Sequence, residues 1–186
     1  MHLITALERY IPSCEQEETD KKLMLAFIRN HPDCLLRDNL IAHFTASAWT
    51  VNRDRTKVLM VYHNIYDSWS WVGGNADGEE NLAAVALREL QEETGVVHAS
   101  LVSPEIFSIE TLTVNGHEKR GAYVPCHLHL NVTYLAEADE NDPLFAKIDE
   151  NSGVRWCTIA ESLKLPTEEW MVERVYKKLN QKLLCS

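Results

Sequence analysis

One segment of the sequence, residues 74–96 with the letters GNADGEENLAAVALRELQEETGV, constrains the fold more than any other. Its apolar residues recur at intervals of three and four, which is typical of an α-helix with one buried face. Gly95 follows at the position where glycine commonly ends a helix. Glu89, Glu92 and Glu93 are spaced i, i+3 and i+4, so at about 100° per residue they lie together at the edge of the apolar stripe. The segment therefore predicts a helix that holds three carboxylates beside the protein core.

Three carboxylates crowded at the edge of a core are unfavourable unless cations lie among them. Like charges at i and i+4 destabilise an isolated helix by a few tenths of a kcal/mol, and burial raises that cost. Hard oxygen ligands at this density suit Mg²⁺ or Mn²⁺, and these ions in turn bind phosphate oxygens. An exposed, glutamate-rich helix without a ligand is the alternative that the three residues alone leave open.

The rest of the chain alternates between helical and strand patterns. Residues 1–40 are predicted to form an N-terminal helical extension, and residues 41–186 a single domain. The predicted segments are a hairpin at 41–63, strands at 97–111, 124–136 and 153–158, and helices at 80–94 and 168–184. Interspersed strands and helices favour an α/β or α+β fold in which helices cover a sheet.

Composition excludes several classes of function. The chain has 28 acidic and 18 basic residues, a formal net charge of −10, which disfavours general binding to nucleic acid polymers or to anionic lipid. No apolar run approaches the roughly 18 to 20 residues that cross a bilayer, and no secretory signal pattern is visible. The five cysteines are odd in number and contain no CxxC pair, which predicts free thiols in a reducing compartment, by default the cytoplasm.

The segment 74–96 resembles the Nudix box at each of the motif's nine specified positions. These positions are Gly74, Glu80, Arg88, Glu89, Leu90, Glu92, Glu93, Gly95 and Val96. The preceding residues, 69–74, are similar to the family's usual approach to the box, although Trp71 and Val72 stand where the family has leucine and proline. The chain thus resembles the Nudix (MutT-like) hydrolases over about residues 41–184, which implies an α/β/α sandwich with a mixed β-sheet.

This resemblance implies a metal-dependent hydrolase with Mg²⁺ or Mn²⁺ as the cofactor. Its substrate class is a nucleoside diphosphate linked to another group, X, whose diphosphate is cleaved when water attacks phosphorus. Glu89, Glu92 and Glu93 are the expected catalytic residues and metal ligands, with Glu89 either a third ligand or the general base. Arg88 is expected to fix a loop or a glutamate side chain through hydrogen bonds.

Gly73, directly before the motif, and Gly74 and Glu80 within it are expected to contribute to binding of the ligand or the ion. Gly73 and Gly74 permit a sharp turn and let backbone amides approach a ligand. Glu80 is placed at the beginning of the helix, where the helix dipole favours a carboxylate that orients a neighbour or a metal-bound water.

A second acidic stretch follows the strand at 124–136. The family often takes a fourth carboxylate ligand from such a place, so Glu137, Asp139 and Glu140 are candidates. A solvated acidic loop is the alternative for each of them.

Two weaker signals lie close to the same strand. His127 and His129 alternate along it and so share one face of the sheet, where they either line the pocket or bond to each other; two histidines are too few to indicate zinc. Lys119 and Arg120, in the preceding loop, are candidate phosphate contacts or part of a solvated charged loop.

The sequence leaves the substrate and two rival functions open. Signatures of the specialised Nudix classes are mostly missing, so a nucleoside triphosphate or a nucleotide sugar remains as the expected small-molecule partner. The alternatives are a non-catalytic nucleotide-binding sensor and an enzyme similar to isopentenyl-diphosphate isomerase, with Cys126 as a candidate residue. The complete set of box glutamates favours hydrolysis. The N-terminal helices offer a surface for a homodimer.

Overall fold

A computed structural model describes residues 3–119 and 121–184 of the chain. The α-helices are α1 (Leu3–Arg9), α2 (Glu15–Asn30), α3 (Leu82–Thr94), α4 (Glu169–Met171) and α5 (Lys177–Leu183). A π-helical turn, Val172–Tyr176, joins α4 to α5, and a 3₁₀ turn spans Glu161–Leu163. Arg120, a predicted phosphate contact, lies outside the described residues. None of the helices in the described ranges is long and apolar enough to cross a membrane.

A curled mixed sheet forms the centre of the domain. The strands are β1 (Ala42–Val51), β2 (Lys57–His63), β3 (Ser68–Ser70), β4 (Val72–Asn75), β5 (Ala99–Leu101), β6 (Ser108–Val114), β7 (His117–Lys119), β8 (Ala122–Val124), β9 (His127–Ala138) and β10 (Asn151–Thr158). The main order is β10-β2-β1-β9-β5, with β3 on β2, β4 on β1 and β6 on β9, while β7 and β8 form a separate ribbon. Because β1 and β9 are parallel and the other pairs antiparallel, the predicted mixed sheet is confirmed.

Helices cover both faces of this sheet, and β1 is therefore buried along its whole length. On one face, Phe44 and Ala46 belong to the same apolar cluster as Leu82 and Leu90 of α3. On the other face, Trp49 belongs to a cluster with the C-terminal helix, where its ring stacks on Tyr176 at 5.5 Å. The alternation of β1 side chains between two helical layers gives the α/β/α sandwich that the sequence predicts.

Two predicted elements differ from the structure. The single strand predicted over 97–111 is wrong: β5 and β6 are separate strands that pair with different parts of β9. The segment between them contains Pro104, which lacks the N–H that a ladder requires. The helix predicted over 168–184 is divided, since the π-helical turn Val172–Tyr176 separates α4 from α5.

The N-terminal helices pack onto the domain and contribute to its core. Leu7 of α1 and Met24 of α2 are fully buried in the same apolar cluster as Phe44 of β1. Glu17 of α2 is also fully buried, although it is a charged residue. The boundary between extension and domain at residue 40 stays a prediction.

Candidate functional site

Strand β4 and helix α3 together position the residues of the motif. β4 pairs antiparallel with β1, with Gly73 opposite Ser47 and Gly74 opposite Ala46. After a loop, Asn81 caps α3, since its side chain accepts a hydrogen bond from the Ala84 N–H. The helix ends at Gly95, whose φ of 78° is the left-handed conformation that favours glycine.

Glu80 lies before this cap and not inside the helix as the sequence predicts. The Asn81 side chain takes the capping role, and its own N–H donates to the Glu79 carboxylate at 2.8 Å. Glu80 is exposed in the loop that leads into α3. A role for Glu80 in orienting a neighbour or a metal-bound water stays a prediction.

Gly73 and Gly74 are required because other groups occupy the space of a Cβ atom. A Cβ on Gly74 would lie 2.5 Å from the carboxyl carbon of Glu89. A Cβ on Gly73 would lie 2.3 Å from the Ser47 hydroxyl and 2.7 Å from the Ala46 carbonyl oxygen. The glycine pair therefore lets β4 pass against both the box helix and its neighbouring strand.

We expect Gly74→Ala to lower kcat/KM by about 100-fold while the protein stays folded, because the new methyl displaces the flexible Glu89 side chain by about 1 Å or more. The matched variant Gly73→Ala meets backbone and should instead lower the free energy of unfolding by about 1–3 kcal/mol. Steady-state kinetics and urea unfolding of both variants measure the two effects. Equal losses of activity and stability in the two variants would contradict this assignment.

The three glutamates of α3 are buried to different extents. Glu93 is 4% exposed, while the side-chain exposure is 15% for Glu89 and 50% for Glu92. The helical spacing predicts this location, since the three residues border the apolar face. The structure places them on one side of α3, as the sequence analysis expects.

The buried position of Glu93 and its acidic neighbours favour the protonated form of this carboxyl group. Burial raises its pKa to about 8, and the negative charges of Glu150 and Glu89 add to the effect. The Lys147 ammonium and the Gly73 N–H oppose this rise without cancelling it. Burial and the neighbouring Glu92 likewise raise the pKa of Glu89.

Arg88 lies beside the adjacent glutamate of the motif. Its Nη2 is 3.5 Å from Oε1 of Glu89, and its own side chain is 45% exposed. Of the two expected arrangements, a loop contact or a glutamate contact, the structure shows the second. A pair at this distance and exposure orients Glu89 more than it stabilises the fold.

Three residues at or just before the start of β10 join the site without having been predicted. Lys147 Nζ lies 3.0 Å from Oε2 of Glu150 and 3.7 Å from Oε2 of Glu92. Asn151 Nδ2 lies 3.4 Å from the main-chain carbonyl oxygen of Glu93. Glu150 therefore belongs to the same charge cluster as the box, and the only sequence signal was its place just before the strand predicted at 153–158.

The three candidates for a fourth ligand lie elsewhere. Glu137 lies opposite Val51 of β1. Val51 is about 13 Å along β1 from Ser47, the residue that pairs with Gly73. Glu140 forms an ion pair with Lys57, and Asp139 accepts a hydrogen bond from Asn141. The structure thus brings none of Glu137, Asp139 and Glu140 to the box helix.

We expect Glu150→Gln to lower kcat/KM by about 10- to 100-fold, because it removes a carboxylate that borders the box glutamates. Glu137→Gln makes the same chemical change at the distant acidic cluster and should leave kcat/KM within about twofold. Kinetics at several Mg²⁺ concentrations measure both variants. A larger loss of kcat/KM in Glu137→Gln than in Glu150→Gln would assign the fourth metal ligand to the 137–140 cluster instead.

The donor set around α3 fits a hard divalent cation. It consists of carboxylate oxygens, with Arg88 and Lys147 as the cations in contact with them among the described residues. Burial first, and neighbouring carboxylates second, raise the pKa of Glu89 and of Glu93, and a divalent cation beside them would stabilise their charged forms. Mg²⁺ and Mn²⁺ bind to such oxygen-rich sites.

Comparison with known proteins identifies both a family and a fold. A family model described as NUDIX domain matches residues 42–179. The comparison with curated proteins found no match.

Several solved structures share the fold. An Ap4A hydrolase of C. elegans in a binary complex is 18% identical over 76% of this chain and 95% of its own, with a TM-score of 0.54. A NUDIX-family hydrolase of Clostridium perfringens is 21% identical over 75% and 97%, also with a TM-score of 0.54. The NUDIX domain of Shewanella oneidensis NrtR, complexed with ADP ribose, is 21% identical over 85% and 97%, with a TM-score of 0.52. At these identities the likeness concerns the fold.

Proposed function

Because this chain belongs to the NUDIX family, we propose that it cleaves the diphosphate linkage of a nucleoside diphosphate linked to another group, X, with the help of Mg²⁺ or Mn²⁺. The family makes it a Nudix pyrophosphohydrolase. The metal requirement and the substrate are the proposal. The observation that carries it is the cluster of Glu89, Glu92 and Glu93 against Gly73 and Gly74, with Glu93 buried and next to other carboxylates.

Each residue of this cluster has a defined task in the proposed reaction. Glu89, Glu92 and Glu93 would hold the ion, and the missing Cβ of Gly74 keeps room for the Glu89 carboxylate. Arg88 orients Glu89, which is either the third ligand or the general base that takes a proton from the attacking water. When bound, Mg²⁺ or Mn²⁺ supplies charge neutralisation for the diphosphate oxygens and a lowered pKa for bound water.

In the reaction, a water oxygen bonds to one phosphorus, and the bond from that phosphorus to the bridging oxygen breaks. The other phosphate leaves with the bridging oxygen, and the water proton goes to the base. As the substrate we propose a nucleoside triphosphate or a nucleotide sugar. One structural neighbour is an Ap4A hydrolase and another holds ADP ribose, which supports a nucleotide-like small molecule.

The test is a panel of nucleoside triphosphates, nucleotide sugars, ADP-ribose and dinucleoside polyphosphates, incubated with the protein and Mg²⁺ or Mn²⁺. Phosphate-containing products are separated by ion-exchange chromatography. We expect metal-dependent cleavage of at least one compound, which EDTA abolishes. Nucleotide binding without cleavage of any compound would favour the sensor. Isomerisation of isopentenyl diphosphate would favour the second alternative.

Other properties remain proposals that rest on the sequence. The cysteine pattern supports a cytoplasmic location. The acidic charge favours a small-molecule partner over a nucleic acid polymer or a membrane surface. A homodimer through the N-terminal helices remains a prediction, which light scattering of the full chain tests.

A further inference from the structure

Three histidines converge on one face of the sheet, next to the box but separate from its glutamates. His43 lies on β1, and His127 and His129 lie on β9, where the parallel register places His129 beside His43. One ring nitrogen of each lies within 4.8 Å of the other two. Within residues 3–119 and 121–184, these are the three histidine, cysteine or acidic side chains whose donor atoms lie close enough together to hold one metal ion.

Main-chain carbonyl groups orient two of these imidazole rings. His127 Nδ1 lies 2.8 Å from the Pro125 carbonyl oxygen, and His43 Nδ1 lies 3.3 Å from the Asn39 carbonyl oxygen. A carbonyl oxygen only accepts, so a ring that uses these contacts carries its hydrogen on Nδ1 and a lone pair on Nε2. Metal-ligating histidines are commonly held in this way, with the outer nitrogen donating to a carbonyl.

The inner nitrogens face one another. His127 Nε2 lies 3.2 Å from His129 Nε2, and the ring centroid of His43 is 5.0 Å from that of His127 and 4.9 Å from that of His129. With donors up to 4.8 Å apart, a central ion would lie within about 2.8 Å of each nitrogen, against a Zn–N bond of about 2.0–2.1 Å. Side-chain movements of less than about 1 Å close that difference.

We propose that His43, His127 and His129 form a binding site for a divalent transition-metal ion, Zn²⁺ in particular. Imidazole nitrogens suit Zn²⁺, whereas Mg²⁺ prefers the oxygen ligands of α3. Three protein ligands leave a fourth position of a tetrahedral ion for water or another ligand. The chain then carries two chemically different metal sites.

The proposed zinc site adjoins the motif through Asn75. Asn75 Oδ1 lies 3.0 Å from His43 Nε2, and Asn75 directly follows Gly74 at the end of β4. Because an amide oxygen only accepts, this contact places the single hydrogen of a neutral His43 ring on Nε2. Metal binding must therefore release Asn75 and move that hydrogen to Nδ1, beside the Asn39 carbonyl oxygen. Zinc binding would therefore act on the last residue of β4, next to the loop that leads to α3, without using the carboxylates.

The test uses a full-length variant in which Glu89, Glu92 and Glu93 are all replaced by Gln, so that the carboxylate site is removed. After chelator treatment, the protein is titrated with ZnCl₂ in a calorimeter, and its metal content is measured after gel filtration. We expect one Zn²⁺ per chain. Adding His127→Ala should weaken binding by at least about tenfold, while adding His117→Ala, on the β7–β8 ribbon, should not. These readouts do not depend on hydrolysis.

A second measurement covers the case in which His127→Ala fails to fold. Zinc titration of the wild-type chain, followed by ¹⁵N NMR of the imidazole nitrogens, should shift one nitrogen in each of His43, His127 and His129. Unchanged imidazole signals would overturn the proposal. Zinc binding that disappears with the glutamates and persists in His127→Ala would also overturn it.

Discussion

Glu93→Gln is expected to lower kcat/KM by about a thousandfold on the compound that the wild-type enzyme cleaves, and Glu92→Gln by a similar factor. An amide keeps the shape of the side chain but carries no negative charge, so it is a poor ligand for Mg²⁺ or Mn²⁺. Loss of a group that acts in the transition state commonly costs 10²- to 10⁴-fold, and these two are the proposed metal ligands. Initial rates at saturating metal give the measurement.

Glu169→Gln serves as the matched control, because Glu169 is an exposed glutamate at the start of α4 and away from the box. Its kcat/KM should remain within about twofold of the wild-type value. Urea unfolding of all three variants separates lost chemistry from lost structure. A Glu93→Gln enzyme that retains more than about a tenth of wild-type activity would show that the buried carboxylate is not required for catalysis.

Local spacing was sufficient to predict the arrangement on α3. The order of burial of Glu93, Glu89 and Glu92 depends on the angle of each residue around one helix, which the sequence contains directly. The helix start was less well predicted, because Glu80 and Asn81 are both compatible with a first turn and only the side-chain hydrogen bond to Ala84 distinguishes them.

Contacts between distant segments could not be predicted in the same way. Glu150 reaches the box because β10 pairs with β2, and His43 meets His129 because β1 and β9 are parallel neighbours. A parallel register depends on the crossover between the strands and leaves no local pattern in either. The sequence therefore singled out two histidines of a cluster of three, and it did not indicate that Glu150 lies beside the box glutamates.

The burial of Glu17 was not predicted from the sequence. This carboxylate of α2 is fully buried and is in contact with lysines of the C-terminal helix. Lys182 Nζ lies 2.8 Å from Glu17 Oε1, and Lys178 Nζ lies 3.3 Å from it. Ser108 donates to Glu17 Oε1 at 2.8 Å. Lysines spaced i and i+4 on the last helix are the only sequence signal for this cluster.

The buried charges continue towards the functional site. Lys178 also pairs with Glu110 at 2.9 Å, and Glu110 Oε2 accepts a hydrogen bond from Asn131 at 3.0 Å. Asn131 Oδ1 accepts a hydrogen bond from Ser47 at 2.8 Å, and the Ser47 hydroxyl occupies the space beside Gly73. A continuous polar network thus connects the N-terminal helices to the strand pair that supports the box.

Acid should weaken this network in a defined pH range. Burial alone would raise the pKa of Glu17, but Lys182, Lys178 and the Ser13 N–H outweigh it and lower the pKa to about 2, from 4.5. A carboxylate with a lowered pKa stabilises the folded state above pH 4.5, and this contribution is lost as the pH falls towards 2. The linked change is about 3 kcal/mol in the free energy of unfolding. Urea unfolding between pH 5 and pH 2 measures it in the wild-type chain.

Glu17→Ala is expected to lower the free energy of unfolding at pH 7 by about 3–5 kcal/mol, because it leaves Lys178 and Lys182 buried without their shared partner. Helix propensity cannot cause such a loss, since alanine is the better helix former. Glu18→Ala makes the same change at the adjacent exposed position and should alter the free energy by less than about 0.5 kcal/mol. The acid-dependent loss should also disappear in Glu17→Ala. Equal stability of the two variants would show that the buried ion pairs do not hold the N-terminal helices on the domain.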